Sequence, residues 1–257
     1  MTRNIIFKDI EKSFNNVKVL KKLNLEMKEG EILGLIGRSG CGKSTLLKIL
    51  LGFLKADKGR IEYDSQNITN NANKLKKIVG YCTQENSFYQ ELTVEENLRY
   101  FARMYGLTKK ATEERIEELL ELVGMRTARK RIAERISGGM KRRLDFAIAL
   151  VHNPEILVLD EPTTGLDPVL REKIFQLMKN IKEKGKTIIL ISHHLSYMQR
   201  YCTKIAIMDQ GRIIELFNPN KIPKRLSVNN SLEEIFENLF NIKENKDNKK
   251  KDDKEDE

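Results

Sequence analysis

The residues whose types and spacing most clearly indicate chemistry lie between Gly37 and Thr45, in the segment GRSGCGKST. The segment fits the pattern G-x-x-x-x-G-K-[ST], in which glycines let successive backbone N–H groups converge on phosphate oxygens. The Lys43 ammonium would neutralise the β and γ phosphates, and the Ser44 hydroxyl would be a magnesium ligand. The residues expected around the phosphates are Gly37, Arg38, Ser39, Gly40, Cys41, Gly42, Lys43, Ser44 and Thr45.

Two carboxylates, Asp160 and Glu161, follow the apolar run Ile156–Leu159. Open α/β sheets hold their ligands at the carboxyl ends of the strands. Asp160 is placed to hold the magnesium shell, and Glu161 to orient or deprotonate the attacking water. A strand-end turn with two solvated acids is the alternative that the pair by itself leaves open. Together with the glycine loop, it predicts hydrolysis of a bound nucleotide.

A second anion site is indicated by Ser137, Gly138 and Gly139 in the segment ISGGMKRR, 23 residues before Asp160. An apolar-patterned helix follows these residues directly. The serine hydroxyl would cap this helix, and its free N–H groups would face an anion. A plain helix cap is the alternative that the three residues by themselves leave open.

The elements that must position these residues are predicted from hydrophobic periodicity. Short polar breaks in the first third favour antiparallel strands. After the loop, Ser44–Leu51 is too apolar for an exposed helix. The pattern from Thr93 to Val151 is helical, with i, i+3, i+4, i+7 spacing. The strands predicted in the first third are Ile5–Ile10, Lys18–Leu20, Leu23–Met27 and Glu31–Ile36.

Beyond Pro154 the chain alternates between strand and helix patterns. Ile156–Leu159 and Thr187–Ile191 are continuous apolar strands, and Pro168–Lys184 is a helix between them. This order indicates an α/β fold whose parallel sheet is covered on both faces. A last amphipathic helix is expected at Leu232–Phe240, and the charged tail at 241–257 is expected to be disordered.

Composition sets the broad class of the protein. The 257 residues are 40% hydrophobic and 33% charged, as in a soluble globular protein. No apolar run approaches the roughly 20 residues that cross a bilayer. The three cysteines have neither metal-ligand nor disulfide spacing, so buried thiols are expected. The net charge is +10, and basic residues are concentrated between Arg126 and Arg143. Two interpretations of this run remain open: it forms a solvated basic face, or it attracts a nucleotide.

With these motifs in this order, the chain resembles the ABC ATPase family from about Ile5 to Glu215. The resemblance implies a P-loop NTPase core of the RecA-like type, with an N-terminal antiparallel β-subdomain and an inserted α-helical subdomain. The core would comprise residues 1–85 and 152–220 and the helical subdomain residues 86–151, with Ser137–Gly139 as the signature motif. A C-terminal helix would occupy 221–240.

The resemblance also implies roles that the residue pattern alone does not give. Phe14 would stack on adenine, and Gln84 would reach magnesium and the attacking water. Asp167 in the GLDP turn would contact an opposing subunit, and His193 would touch the γ-phosphate. The catalytic set is then Glu161, His193, Gln84 and Lys43, the metal ligands are Ser44, Gln84 and Asp160, and the cofactors are ATP and Mg²⁺.

Met140-Lys141-Arg142-Arg143 and the segment SLEEIFENLF resemble the branch of the family that pairs with exporter-type (ABC-2-like) permeases. Ile136, Met140 and Thr83 depart from the commonest family pattern without removing a charged group. The resemblance implies an ATPase subunit at the cytoplasmic face of a membrane, working with a second ATPase subunit and a separate permease. Contact with the membrane would run only through the permease, and no nucleic acid is expected.

Three other classes of protein are alternatives to this interpretation. A soluble ABC ATPase that remodels a protein or nucleic-acid complex usually has two ATPase units or a long coiled-coil insertion, and neither is present, so a short soluble member of the family stays open as the alternative. A P-loop GTPase or small-molecule kinase leaves Ser137–Gly139 unexplained, and the sequence has no N-K-x-D motif. A non-catalytic nucleotide sensor would be expected to lack Glu161.

Overall fold

The larger of two β-sheets is parallel except at one edge. The computed structural model describes residues 3–226 and 231–240. The strands of this sheet are β3 (Ile32–Gly37), β6 (Val79–Cys82), β7 (Ile156–Asp160), β8 (Thr187–Ile191), β9 (Lys204–Asp209) and β10 (Arg212–Phe217). Their order is β10-β9-β3-β8-β7-β6, and only β10 is antiparallel to its neighbour. The α/β fold class with a parallel sheet is thus confirmed.

The smaller sheet is antiparallel, as predicted for the N-terminal part of the chain. It has the order β2-β1-β4-β5 and comprises β1 (Asn4–Phe14), β2 (Val17–Lys28), β4 (Lys58–Tyr63) and β5 (Gln66–Asn67). The positive φ angles of Asn15 and Asn16 make the two-residue turn that joins β1 to β2.

Two of the strand predictions in this region were wrong in detail. The segments Lys18–Leu20 and Leu23–Met27 form one strand, because Lys22 at positive φ lies at a register irregularity rather than a break. Antiparallel pairing does not extend to β3, which pairs only with the parallel strands β8 and β9. Its residues Ile32–Ile36 are all buried, which is typical of a strand covered on both faces.

Six of the eight α-helices in the described residues lie close to where the sequence predicts them, whereas the two at Ala72–Ile78 and Leu195–Tyr201 were not predicted. The helices are α1 (Lys43–Leu50), α2 (Ala72–Ile78), α3 (Val94–Met104), α4 (Lys109–Leu122), α5 (Gly138–Ala149), α6 (Pro168–Glu183), α7 (Leu195–Tyr201) and α8 (232–240). The helical stretch from Thr93 to Val151 thus contains α3, α4 and α5. The tail predicted to be disordered at 241–257 lies outside the described residues. No helix within 3–226 or 231–240 combines the length and hydropathy that a membrane span needs.

Alternate residues of the parallel strands serve two apolar cores. In β7, Ile156 and Val158 pack in the core that includes α1 and the antiparallel sheet. Leu157 and Leu159 pack in the other core, with α3, α4, α5 and α6. This double burial explains why β7 is a continuous apolar run. Because the helices of the 86–151 segment share a core with the sheet, its boundaries as a subdomain stay a prediction.

The parallel strands bring the predicted functional segments to one edge of the sheet. β3, β6, β7 and β8 end at Gly37, Cys82, Asp160 and Ile191, respectively. Parallel strands present their carboxyl ends on the same side, so the loops that follow them are neighbours. The glycine loop, the Gln84 loop, Glu161 and His193 all follow directly from these ends.

Candidate nucleotide-binding site

The glycine loop connects β3 to α1 in a conformation that requires its glycines. Gly40 and Gly42 have φ angles of +77° and +111°, which side-chain-bearing residues rarely adopt. A Cβ atom at Gly37 would lie 2.2 Å from the carbonyl oxygen of Met208. The Cys41 carbonyl accepts from the Gly211 N–H at 3.0 Å, and the Cys41 side chain is buried. The loop is therefore fixed to the sheet, and Cys41 faces inward.

Lys43 concentrates positive charge over this loop. Its ammonium donates to the carbonyl oxygens of Gly37 at 2.6 Å and Arg38 at 3.0 Å. The first N–H groups of α1 have no acceptors within the helix and carry the positive end of its dipole. Ser44 on the first turn is exposed. Backbone donors, a helix N-terminus and an ammonium together form a site suited to phosphate.

Asp160 is a half-buried carboxylate with one polar neighbour that the sequence did not reveal. The Tyr81 hydroxyl donates to Asp160 Oδ2 at 3.4 Å. Burial raises the pKa of Asp160, although the Tyr81 hydrogen bond and the Lys43 charge oppose this shift. Burial and the Asp160 charge raise the pKa of Tyr81 to about 12, so the tyrosine stays a donor. A carboxylate that burial disfavours as an anion is suited to a cation partner.

The donor set fits a magnesium ion held mainly by phosphate. No group of three or more His, Cys, Asp or Glu side chains among the described residues could hold a metal ion. Magnesium in nucleotide sites keeps few protein ligands, often one or two carboxylates together with substrate phosphates. Asp160 and Ser44, which is exposed, supply oxygen ligands of the type that such a magnesium ion takes.

Glu161 is held in a left-handed backbone conformation, with φ +49°. Its N–H donates to the Ile191 carbonyl oxygen at 2.9 Å, and its Oε2 lies 2.9 Å from His193 Nδ1. A non-glycine residue at positive φ is uncommon and clusters at functional sites. This backbone turns the carboxylate from the end of β7 toward the end of β8.

One cleft brings together five of the predicted site residues, namely Gly37, Ser39, Lys43, Glu161 and His193. Phe236 of α8 also lines this cleft, and the Arg38 guanidinium lies 5.8 Å from the ring centre of Phe240. Sequence analysis found α8 as an amphipathic helix but did not connect it with the nucleotide. The lining residues are Leu35, Ile36, Gly37, Ser39, Lys43, Glu161, Ile191, Ser192, His193, Leu195 and Phe236.

Other predicted residues lie outside this lining. Phe14 is 43% exposed beside the turn between β1 and β2, with the Lys12 ammonium 5.5 Å from its ring centre. Gln84 is exposed in the loop after β6. Ser137 caps α5 by accepting from the Met140 N–H at 3.4 Å, and Gly138 beside it is exposed. None of these residues therefore lines the cleft that contains the glycine loop.

Asp167 caps α6 with its side chain. Its Oδ1 accepts from the N–H groups of Val169 at 2.9 Å and Leu170 at 3.0 Å. The same Leu170 covers Gly139, where an added Cβ would lie 2.9 Å from a leucine methyl. The GLDP turn and the signature segment therefore lie next to each other in the folded subunit.

Arg142 is a buried residue beside the site whose position sequence reasoning missed. Its buried guanidinium donates to Pro162 O at 2.6 Å, Thr83 O at 2.6 Å and Glu161 O at 3.0 Å. In the sequence it is one member of a basic run, and no local signal distinguishes it from a solvated arginine. Four members of the run are exposed, as expected for a solvated face, namely Arg126, Lys130, Arg131 and Arg135. Arg142 by contrast is buried, and Arg143 donates to Val123 O.

Comparisons with known proteins agree with this fold and cleft. The ABC transporter family model matches residues 20–164. The linearmycin resistance ATP-binding protein LnrL of Bacillus subtilis is 37% identical over 218 residues, covering 85% of this chain and 70% of LnrL. The Nod factor export ATP-binding protein I of Burkholderia pseudomallei is 38% identical over 210 residues, covering 82% and 69%. The structure of cbiO1 from Clostridium perfringens, part of the ABC transporter complex cbiONQ, has a TM-score of 0.79 at 29% identity and covers 84% of this chain and 88% of that one.

A glycine loop between β3 and α1, with carboxylates at the end of β7, defines a P-loop nucleotide-binding protein. The family match extends over more than half of the chain. The chain belongs to the ABC transporter family and is an ATP-binding, ATP-hydrolysing subunit. The family resemblance seen in the sequence is confirmed.

Proposed function

We propose that this chain powers export through a separate transmembrane permease, as one of two ATPase subunits that enclose ATP between them. The observation that carries the proposal is the separation of two anion sites. The glycine loop lines the same cleft as Glu161 and His193. The N-terminus of α5 does not line this cleft, and its residues Ser137 and Gly138 are exposed. ATP on the loop of one subunit would be completed by Ser137, Gly138 and Gly139 of the other.

The cleft supports a specific division of labour for hydrolysis. Lys43 and the loop N–H groups bind the β and γ phosphates. Glu161 accepts a proton from the attacking water, and His193, 2.9 Å from that carboxylate, orients it and contacts the γ-phosphate. Ser44, Gln84 and Asp160 would hold magnesium, which when bound neutralises charge on the phosphate oxygens. Phe14 would stack on adenine, and Asp167 would face the opposing subunit.

Hydrolysis would open the pair of subunits. In the closed pair, the γ-phosphate would lie between the loop of one subunit and the α5 N-terminus of the other, and both would donate charge-assisted hydrogen bonds to it. Its release removes these contacts and shifts the population toward the open pair. The movement would be passed to the permease.

An exposed apolar groove beside the Gln84 loop would receive a cytoplasmic helix of the permease. Phe53 is 62% exposed and Tyr105 is 45% exposed at this groove. An amphipathic helix binds such grooves with its apolar face. Thr83 and Ser87 also line the groove, so a helix there would contact the loop that carries Gln84. The other lining residues include Leu51, Tyr81, Phe101 and Ile148.

Export is supported by two relatives of the chain, which are named for linearmycin resistance and for Nod factor export. The proposed place is the cytoplasmic face of the cell membrane, with contact only through the permease. Nucleic acid is not among the proposed partners.

The proposal is tested with Glu161→Gln. This variant should bind ATP, lose turnover by about 10²- to 10⁴-fold, and elute as a dimer on size exclusion with ATP and magnesium. Turnover like that of the wild type would contradict the role of Glu161.

The permease is tested by purification from detergent-solubilised membranes. A multi-span protein should co-purify with the wild type and be lost from Phe53→Asp/Tyr105→Asp, whereas Met104→Asp, another exposed apolar position that does not line the groove, should retain it. Recovery of the wild type only as a free soluble species would instead favour a soluble ABC ATPase that remodels a complex.

A further inference from the structure

We infer that Arg142 is a positioning residue that ties the Gln84 loop and the Glu161 turn to the helix of the signature segment. This inference rests on the roles proposed above for Gln84 and Glu161. Its basis is one buried side chain that joins three segments far apart in sequence. Arg142 lies on α5, its acceptors Thr83 and Gln84 follow β6, and its acceptors Glu161 and Pro162 follow β7.

The geometry uses the whole guanidinium fork. Nε donates to Pro162 O at 2.6 Å, and Nη2 donates to Glu161 O at 3.0 Å. Nη1 donates to Thr83 O at 2.6 Å and lies 3.4 Å from Gln84 O. A planar fork can hold several acceptors in fixed directions, which a lysine ammonium cannot match. Arg142 therefore sets the spacing between the two loops that carry the proposed water-positioning amide and the proposed base.

Asp145, one turn further along α5, completes this connection. It is buried, its Oδ2 lies 3.7 Å from Arg142 Nη1, and its Oδ1 accepts from the Ser87 N–H at 2.7 Å. The Gln84 loop is thus held at two points by the same helix. Removing one member of a buried charged network leaves the other partners unsatisfied, so this arrangement is sensitive to substitution.

The position of Arg142 on α5 connects the two loops to the signature segment. The helix begins at Gly138, and Arg142 follows one turn later. Ser137, Gly138 and Gly139 at its N-terminus are the groups proposed to bind the ATP of the other subunit. A helix is a rigid element, so engagement of its N-terminus displaces Arg142 with it. Binding of one ATP is thereby linked to the base and the amide of the opposite site.

A matched arginine on the same core provides the control. Arg115 Nη2 donates to Leu150 O at 2.6 Å and its Nε to Val151 O at 3.3 Å, just beyond the other end of α5. It therefore resembles Arg142 in chemistry and partners but touches neither catalytic loop. A merely structural role would make Arg142→Gln and Arg115→Gln equivalent once both are folded.

The test compares ATP turnover, ATP affinity by titration and thermal stability in Arg142→Gln, Arg142→Lys and Arg115→Gln. Arg142→Gln should lower kcat by roughly 10- to 100-fold while KM and the ATP dissociation constant change by less than about threefold. Arg142→Lys keeps the charge and should fall between the wild type and Arg142→Gln. Arg115→Gln should keep kcat within about threefold. If Arg142→Gln does not fold, Arg142→Lys carries the same comparison with Arg115→Lys.

A double-mutant cycle with Gln84→Ala shows whether Arg142 acts through Gln84. If Arg142 acts through Gln84, the double variant should lose little more than the more severe single variant, within about threefold. Multiplicative losses would overturn the inference, as would equal kcat values for Arg142→Gln and Arg115→Gln. Glu161→Gln is measured in parallel. If it keeps wild-type turnover, the proposed base fails and this inference with it, whereas an inactive Glu161→Gln beside an unaffected Arg142→Gln overturns this inference alone.

Discussion

Replacing Gly138 by aspartate should separate the fold of the subunit from its pairing. Gly138 is the first residue of α5, is exposed, and an added Cβ there would meet no atom within 4 Å. Its φ is outside the range that side chains avoid. An acidic residue in the first helical turn is favourable by about 0.3–1 kcal/mol. The isolated subunit carrying Gly138→Asp should therefore be as stable as the wild type, or more stable by up to about 1 kcal/mol.

The same substitution should prevent the proposed composite site from closing. In that site the N–H groups of Gly138 and its neighbours face the phosphates of the ATP on the other subunit. Two unit charges about 4 Å apart repel by about 4 kcal/mol at an effective dielectric constant of about 20. This repulsion corresponds to a loss of more than about 100-fold in ATP-driven pairing. Turnover should fall by a similar factor, while ATP binding to the glycine loop should not change.

The assay combines thermal denaturation, ATP titration and size exclusion of Gly138→Asp in the Glu161→Gln background. Gly37→Ala is the contrasting glycine, because its Cβ would lie 2.2 Å from Met208 O and should destabilise the subunit itself. A Gly138→Asp subunit that pairs with ATP like its parent would refute the composite site. Unfolding of that variant would refute the argument from open space.

Two further predictions concern other parts of the chain. Lys43→Ala should abolish ATP binding in a direct titration, because it removes the ammonium held over the Gly37 and Arg38 carbonyls, and unchanged affinity would contradict the phosphate site. Burial lowers the pKa of His152 to about 4, below its usual value of about 6.5, so the stability that the neutral ring provides above pH 6.5 should be lost as the pH falls toward 4. The free energy of unfolding should thus fall by about 1–2 kcal/mol more in the wild type than in His152→Gln between pH 7 and pH 5, and parallel pH profiles would exclude this histidine as the cause.

Local signals predicted the parts of the site that local chemistry determines. The glycines of the phosphate loop, the Ser137 cap and the apolar run of β7 each follow from their neighbours in sequence. The strand β4 was not predicted, since Lys58–Arg60 is exposed and polar and only Ile61 of this strand is buried. Its place is set by antiparallel pairing with β1, some 50 residues away.

The role of Arg142 lies beyond sequence reasoning for the same reason. Its acceptors at Thr83 and Pro162 are 59 and 20 residues away, and only the neighbouring positions of β6 and β7 bring them together. A run such as Lys141-Arg142-Arg143 has the same local pattern whether its side chains are solvated or buried. Tyr81 and Phe236 were missed likewise, because each reaches the site from a segment without a phosphate-binding motif.

The two helix N-termini explain why the phosphate loop alone does not determine the function. α1 begins in a cleft that also contains Glu161 and His193, whereas α5 begins with an exposed serine cap. A helix N-terminus binds an anion in either setting, but only the first has Glu161 to act on it. The second can therefore contribute only to a site whose remaining groups come from elsewhere. In the proposed pair, Arg142 would link the two sites, because the N-terminus of α5 would contact the neighbour's ATP while Arg142 of the same helix donates to the Glu161 carbonyl.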